Sequence, residues 1–147
     1  DFPGDKTLGW KSIVETLDNL DIYERRYITF KESNVINFLS QEKDNPNSIK
    51  NCLIKAAYNV KETRDCLPQS STEQINNLLN EFDRSISKSS RIKPKDMYKL
   101  IEGSQRFFGI INDNFSTGSV FEFIRLGRYI ERVDMISRTL ATLCVSK

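Results

Sequence analysis

Between Arg125 and Asp134 the chain reads RLGRYIERVD, with Arg125, Arg128, Glu131, Arg132 and Asp134 threaded through an otherwise apolar helical pattern. On a helical wheel Val120, Phe123, Ile124, Gly127, Ile130, Met135 and Ala141 share an arc spanning nearly half the circumference, and Glu131, Asp134 and Arg138 fall within it. Arg128 lies on the border, while Glu122, Arg125, Tyr129 and Arg132 point more nearly away. The spacing therefore predicts that Glu131 faces neighbouring helices. An isolated carboxylate there would suffer a desolvation penalty of several kcal/mol, so it must be paired and hydrogen-bonded or stay protonated. Arg128, three residues before Glu131, and Arg138, four after Asp134, are within reach on one helix surface.

Three uses of this constellation follow from its chemistry. Arg128, Glu131, Asp134 and Arg138, with Arg64 from an earlier helix, can close an interhelical network that fixes register, because guanidinium forks hold carboxylates bidentately. The same arginines can instead line a cleft and present donors to the carboxylate or phosphate of a ligand, with Glu131 orienting them. Glu131 acting as a general acid or base would need a raised pKa and a positioned substrate, neither of which a sequence supplies. No catalytic residue is assigned.

These side chains must be positioned by helices. Apolar residues recur at three and four in several segments, and no sustained period-two alternation occurs, so the expected fold is all-α, an antiparallel bundle of five to six helices. Trp10, Ile13, Val14, Leu17 and Leu20 share one face. DIYERRYITFKES breaks the pattern and reads as a turn before a short helix holding Val35, Ile36, Phe38 and Leu39. In KDNPNSIKNC, Asn45 can cap a helix with Pro46 at its first position, Asn47 being the alternative cap. The helix that follows carries Ile49, Cys52, Leu53, Ala56, Val60, Thr63 and Leu67, with Asn59 and Arg64 at opposite edges of the stripe, and Pro68 stops it.

Ser70 with Glu73, or Ser71 with Gln74, is spaced as a capping box for a helix striped by Ile75, Leu78, Leu79, Phe82 and Ile86. The polar run SISKSSRIKPK reads as a mobile loop. After Pro94, Met97, Leu100, Ile101, Phe107, Phe108 and Ile111 mark another helix that closes in NDNFSTGS. Ser119 and Glu122 are spaced as a box for the last helix.

Composition narrows the function classes. The 147 residues fit one domain spanning 1–147, and 38% hydrophobic with 29% charged residues is globular. The net charge of +2 is small and the signs are interspersed, so there is no basic stripe to neutralise phosphates and no nucleic-acid partner is expected. No apolar run approaches 18 residues, so no membrane span is expected. The opening DFPGDKTLGW has neither a starting Met nor a signal pattern, from which we expect a piece of a longer polypeptide. Cys52, Cys66 and Cys144 sit at no metal-ligand spacing, and their odd number favours reduced thiols and a cytoplasmic location, with Cys52 packed as a small hydrophobe. The sequence contains no histidine, which removes Ser-His and Cys-His nucleophiles, the commonest zinc sites and Glu-x-x-His di-iron pairs. No metal and no cofactor is expected. Asn114-Phe115-Ser116 matches a glycosylation acceptor but, without secretion, is only three loop residues.

FIRLGRYIERVDMISRTL, DNPNSIKNCLIKAAYNVKETRD and GWKSIVETL together resemble the bacterial alpha-E domain family, an all-helical family named for a Glu-Arg motif. Glu131-Arg132 matches that motif and Leu126-Gly127-Arg128 precedes it as in the family's pattern. Asn45-Pro46-Asn47-Ser48-Ile49, Cys52-Leu53 and Arg64-Asp65 fall in the family's order. The resemblance runs from about Trp10 to Leu140 and corresponds to the middle of a typical member, which has an earlier helix with its own Gly-Arg-x-x-Glu-Arg copy and continues further. Where members resemble Ala-Arg-Glu-Asn, this chain has Ala56-Ala57-Tyr58-Asn59, which leaves Asn59 and Arg64 as the candidates on that helix. The resemblance implies a cytoplasmic partner of an ATP-grasp amide-bond ligase or a transglutaminase-like protein, in the making or modification of a peptide. It leaves open a non-catalytic binding or adaptor module with a peptide ligand, an enzyme or enzyme half using Glu131 or Asp134 with Arg128, and a structural homo-oligomerisation element.

Overall fold

The computed structural model describes residues 6–89, 92–115 and 118–145. Among them are seven α-helices and no strand: α1 Lys6–Thr16, α2 Leu20–Glu24, α3 Glu32–Gln41, α4 Ile49–Glu62, α5 Gln69–Ser89, α6 Pro94–Asn114 and α7 Ser119–Val145, with a 3₁₀ turn at Arg64–Cys66. The all-α expectation holds, with a higher helix count because DIYERRYITFKES, expected as a turn, contains the short α2. Helix α1 ends in a Schellman motif: the Asn19 amide donates to Val14 O at 3.3 Å and the Asp18 amide to Glu15 O at 2.9 Å. Asp18 occupies the left-handed position, φ +53°, that glycine usually takes.

Two apolar clusters form. Val14, Tyr23, Val35 and Phe38 are fully buried where α1, α2 and α3 meet. Tyr23 stacks on Phe30 at 4.7 Å and Tyr27 at 5.0 Å, meets Phe38 edge-on at 4.9 Å and donates its hydroxyl to Thr29 O at 2.8 Å. Beside this cluster the Tyr27 hydroxyl donates to Glu42 Oε2 at 3.1 Å and accepts from Asn37 Nδ2 at 2.7 Å. Glu42 is buried, and Arg26 Nε lies 3.5 Å from its carboxylate.

The α3–α4 connection is a polar plug. Asn45 is fully buried, its Nδ2 donating to Phe38 O at 3.0 Å and its Oδ1 accepting from the Asn47 amide at 3.0 Å. Asn51 Nδ2 reaches back to Asn45 O at 2.8 Å and Lys43 O at 3.0 Å. The N-cap is Ser48, whose hydroxyl accepts from the Asn51 amide, and not Asn45 or Asn47. DNPN builds the turn ahead of the helix because the Asn45 amide group is consumed by α3.

The second cluster is built by α4, α5 and α6 around Leu53, Val60, Ile75, Leu78 and Phe82. Lys50 Nζ lies 2.8 Å from Asp83 at one end of the α4–α5 pair, and Val60 and Ile75 share a cavity lining at the other, so the two helices run antiparallel. Ser85 donates to Asp96 at 3.0 Å and Gln74 to Gly103 O at 3.0 Å, which makes α5 and α6 antiparallel as well. Burial of each large aliphatic side chain here contributes about 1.5–3 kcal/mol.

Neither capping box expected for α5 closes. The helix starts at Gln69, which places both serines inside its first turn; Ser71 Oγ donates to Pro68 O at 2.6 Å, and Gln74 crosses to α6. Helix α5 also runs on through Ser89 and α6 begins at Pro94, so most of the expected loop SISKSSRIKPK is helical; Ser90 and Arg91 of that stretch, like Ser116 of the glycosylation match, lie outside the described residues. The Ser119–Glu122 box is replaced at its acidic end by an ion pair, Arg125 Nη1 to Glu122 Oε1 at 3.4 Å.

Candidate functional site

Helix α7 touches the remainder of the described structure along one side only. Toward its C-terminal end Thr16 Oγ1 donates to Thr142 Oγ1 at 3.1 Å, and Arg138 Nη1 lies 3.2 Å from Asp18. Arg138 Nε also donates to Asp134 Oδ2 at 2.8 Å, the expected contact four residues apart. These carboxylates raise the Arg138 guanidinium above its ordinary pKa, Asp134 contributing most. The N-terminal half of α7 leans over α4–α6 and encloses an open cleft of ≈ 830 Å³. Val60 of α4, Ile75 of α5, and Phe107 and Phe108 of α6 form one wall; Phe123, Ile124 and Met135 of α7 form the other. Asn59, Arg128, Glu131 and Arg132 are among its polar groups.

Of the seven residues singled out from sequence, these four meet at the cleft. Asp134 and Arg138 form their own pair with Asp18, away from it. Arg64 is separate from both: it belongs to the 3₁₀ turn, is exposed, and lies 3.9 Å from its neighbour Asp65. The expected closed network of Arg128, Glu131, Asp134, Arg138 and Arg64 is therefore not assembled.

The burial expected for Glu131 is also corrected. Its side chain lines the cleft, turned toward α4, but is exposed and makes no ion pair among the described residues. The wheel orients a residue around the axis of its helix but does not place a second helix against it, and here the opposite wall stands off.

Arg128 takes a different partner. Its guanidinium carbon sits 4.2 Å from the Phe108 ring centroid on α6. An exposed ion pair three residues away on the same helix is worth only a few tenths of a kcal/mol, whereas a cation over an aromatic face gains about 0.5–1 kcal/mol, so the ring is the stronger competitor. Phe108 is the residue that sequence reasoning misses, because the spacing groups it with Phe107 among the apolar residues that mark the helix. Adjacent residues on a helix diverge by about 100°, so Phe107 and Phe108 turn toward different neighbours. Phe107 packs against the α4–α6 core and Phe108 is left to the cleft.

Cys52 lies on α4, on the Glu131 side. Expected as a core hydrophobe, it is exposed by surface area; its thiol is nevertheless desolvated enough to be pushed up in pKa, and the Glu131 charge adds to that push while Lys55 opposes it. Among the described residues there is no group of three or more His, Cys, Asp or Glu side chains that could hold a metal ion, and no helix long and apolar enough to cross a membrane.

A helical domain whose longest helix carries a Glu-Arg pair into an interhelical cleft defines the class of protein. The chain belongs to the Alpha-E family, described as a predicted alpha-helical domain with a conserved ER motif, whose family model matches residues 4–147. Comparison with the curated proteins and with the solved structures gives no match.

Proposed function

We propose that this domain is a non-catalytic binding module, the partner of an ATP-grasp amide-bond ligase or a transglutaminase-like protein, and that its cleft takes an extended apolar peptide segment. The observation that carries this reading is the cleft of ≈ 830 Å³ with apolar walls and two arginines, Arg128 and Arg132, on one side. Ligand sites are concave and largely apolar, with a few polar groups that fix orientation. Arg128 is held over Phe108 with no carboxylate consuming its donors, so its guanidinium is free to receive a peptide carboxylate. The reading places the domain in the cytoplasm, alongside such ligases.

Enzymatic use of Glu131 with Arg128 has less behind it. The Glu131 carboxylate is exposed and lines an open cleft, and a thiol pushed up in pKa stays protonated at neutral pH, which disfavours Cys52 as a nucleophile.

Calorimetry with a short apolar peptide bearing a free C-terminal carboxylate tests the proposal. We expect binding that weakens about tenfold when the peptide is amidated or Arg128 is replaced by alanine, as for loss of one charge-assisted pair. Equal heats for acid and amide peptides, or for wild type and Arg128→Ala, sink it.

A further inference from the structure

The side of α7 that faces away from the cleft and from α1 carries a second apolar pattern. Leu126, Val133 and Leu140 are spaced by seven, and Tyr129, Ile136 and Leu143 follow each of them by three. This is a strict a/d heptad seam over three heptads, the narrow stripe of a coiled coil as opposed to the broader face of a helix packed in a globular core. All six side chains are exposed, from 50% at Tyr129 to 64% at Val133. Thr142 and Arg138, which meet α1, and Ile124 and Met135, which line the cleft, project from the opposite side of the helix.

We propose that this seam is a homotypic interface, and that a second copy of the chain pairs its α7 with this one in parallel around a twofold axis. Area supports the occupant. The six seam residues, the flanking Ile130 at 58% exposure and the stems of Arg125 and Arg132 offer roughly 800 Å² per copy, about one side of a standard stable interface. A twofold contact asks each patch to be self-complementary, which a repeating a/d seam is.

Charge sets the direction. The residues flanking the seam are Arg125 and Arg132 on the g side and Ile130 and Ser137 on the e side. A parallel pair brings g against e of the other copy, so guanidinium stems lie along neutral residues. An antiparallel pair brings the arginine flanks together. The pairing leaves the cleft open on the far side of α7; Arg132 borders both surfaces, whereas Arg128 belongs to the cleft alone and separates the two proposals.

Sedimentation velocity across the micromolar range tests the interface, with Val133→Glu at the centre of the seam as the disrupting variant. The wild-type chain is expected to sediment as a dimer, and Val133→Glu to weaken association by more than about a hundredfold by burying an unpaired charge, with unchanged helical circular dichroism. In a background with Cys52, Cys66 and Cys144 replaced by serine, Leu140→Cys is expected to form an intermolecular disulfide on mild oxidation, because equal a positions meet in a parallel pair. A wild-type monomer throughout the range overturns the proposal, as does a dimer indifferent to Val133→Glu or a Leu140→Cys dimer that does not cross-link. Arg128→Ala is expected to leave the dimer intact, which separates failure here from failure of the peptide site.

Discussion

Helices α5 and α7 are both long, 21 and 27 residues, and both are amphipathic in sequence, yet their apolar residues meet opposite fates. In α5 the stripe of Ile75, Leu78 and Phe82 is buried between α4 and α6. In α7 no described side chain is buried; Phe123 is 72% exposed and Leu143 62%. The contrast teaches that an apolar stripe states a requirement for a partner without naming it. Helix α5 has its partners on either side in the chain, joined by short connections. Helix α7 turns one side to α1 near its C-terminal end and to the cleft along its N-terminal half, and leaves the opposite side as a bare heptad seam.

The sharpest way to break this contrast is to delete the same ring in both helices. Phe82→Ala is expected to lower unfolding free energy in urea by about 3–5 kcal/mol, and Phe123→Ala to change it by less than about 0.5 kcal/mol. Equal losses would mean that α7 packs as tightly as α5.

Tyrosine titration extends the comparison to buried and exposed phenols. Burial pushes Tyr23 up to about 12, whereas Arg125, through its hydrogen bond and its charge, lowers exposed Tyr129. Because the folded state favours neutral Tyr23, its contribution to stability is complete below the ordinary tyrosine pKa near 10 and is lost as pH rises toward 12. The loss is of the order of 2–3 kcal/mol, and it should disappear in Tyr23→Phe. Absorbance titration should show Tyr129 ionising early and Tyr23 last; the reverse order would contradict the buried aromatic cluster.

Glycines provide a third pair. A Cβ on Gly103 of α6 would overlap Leu78 Cδ2 and lie 2.9 Å from Leu78 Cγ, while a Cβ on Gly127 of α7 meets nothing within 4 Å. Gly103→Ala should therefore destabilise by about 1–3 kcal/mol through overpacking against a buried leucine. Gly127→Ala should stabilise by about 0.5–1 kcal/mol through helix propensity. Thermal melts of the two variants should move in opposite directions.

The smallest effect is expected at the residue that draws most attention in the sequence. Glu131→Ala should leave stability within about 0.5 kcal/mol of wild type, because no guanidinium depends on it. A loss of 3 kcal/mol or more would restore the buried network that the spacing alone suggests.

The buried acid with a guanidinium beside it does exist in this protein, but it is Glu42, next to Arg26 and bonded to Tyr27. Nothing in QEKD marked it, because Glu42 ends α3 and is covered by a residue from the irregular Tyr27 region 15 positions earlier. The α4, α5 and α6 stripes were legible because short connections force consecutive helices together, so that periodicity and neighbour coincide. Of the candidate site, Arg128, Glu131 and Asn59 were legible as residues near one space, whereas Arg132, which the wheel turns away, Phe108 and the openness of the cleft were not. Helix starts shifted wherever a polar side chain found a tertiary acceptor, as with Asn45 on Phe38 O and Gln74 on Gly103 O.

By itself the sequence determined that the chain is helical, which residues of each helix share a face, and that α7 is apolar on more than one side, because these follow from local backbone geometry at a fixed angular step. Only the tertiary structure decided which of those faces are covered. Burial depends on the distance between elements far apart in the chain, and that distance places Glu131 in water, Arg128 on an aromatic ring and a heptad seam in the open.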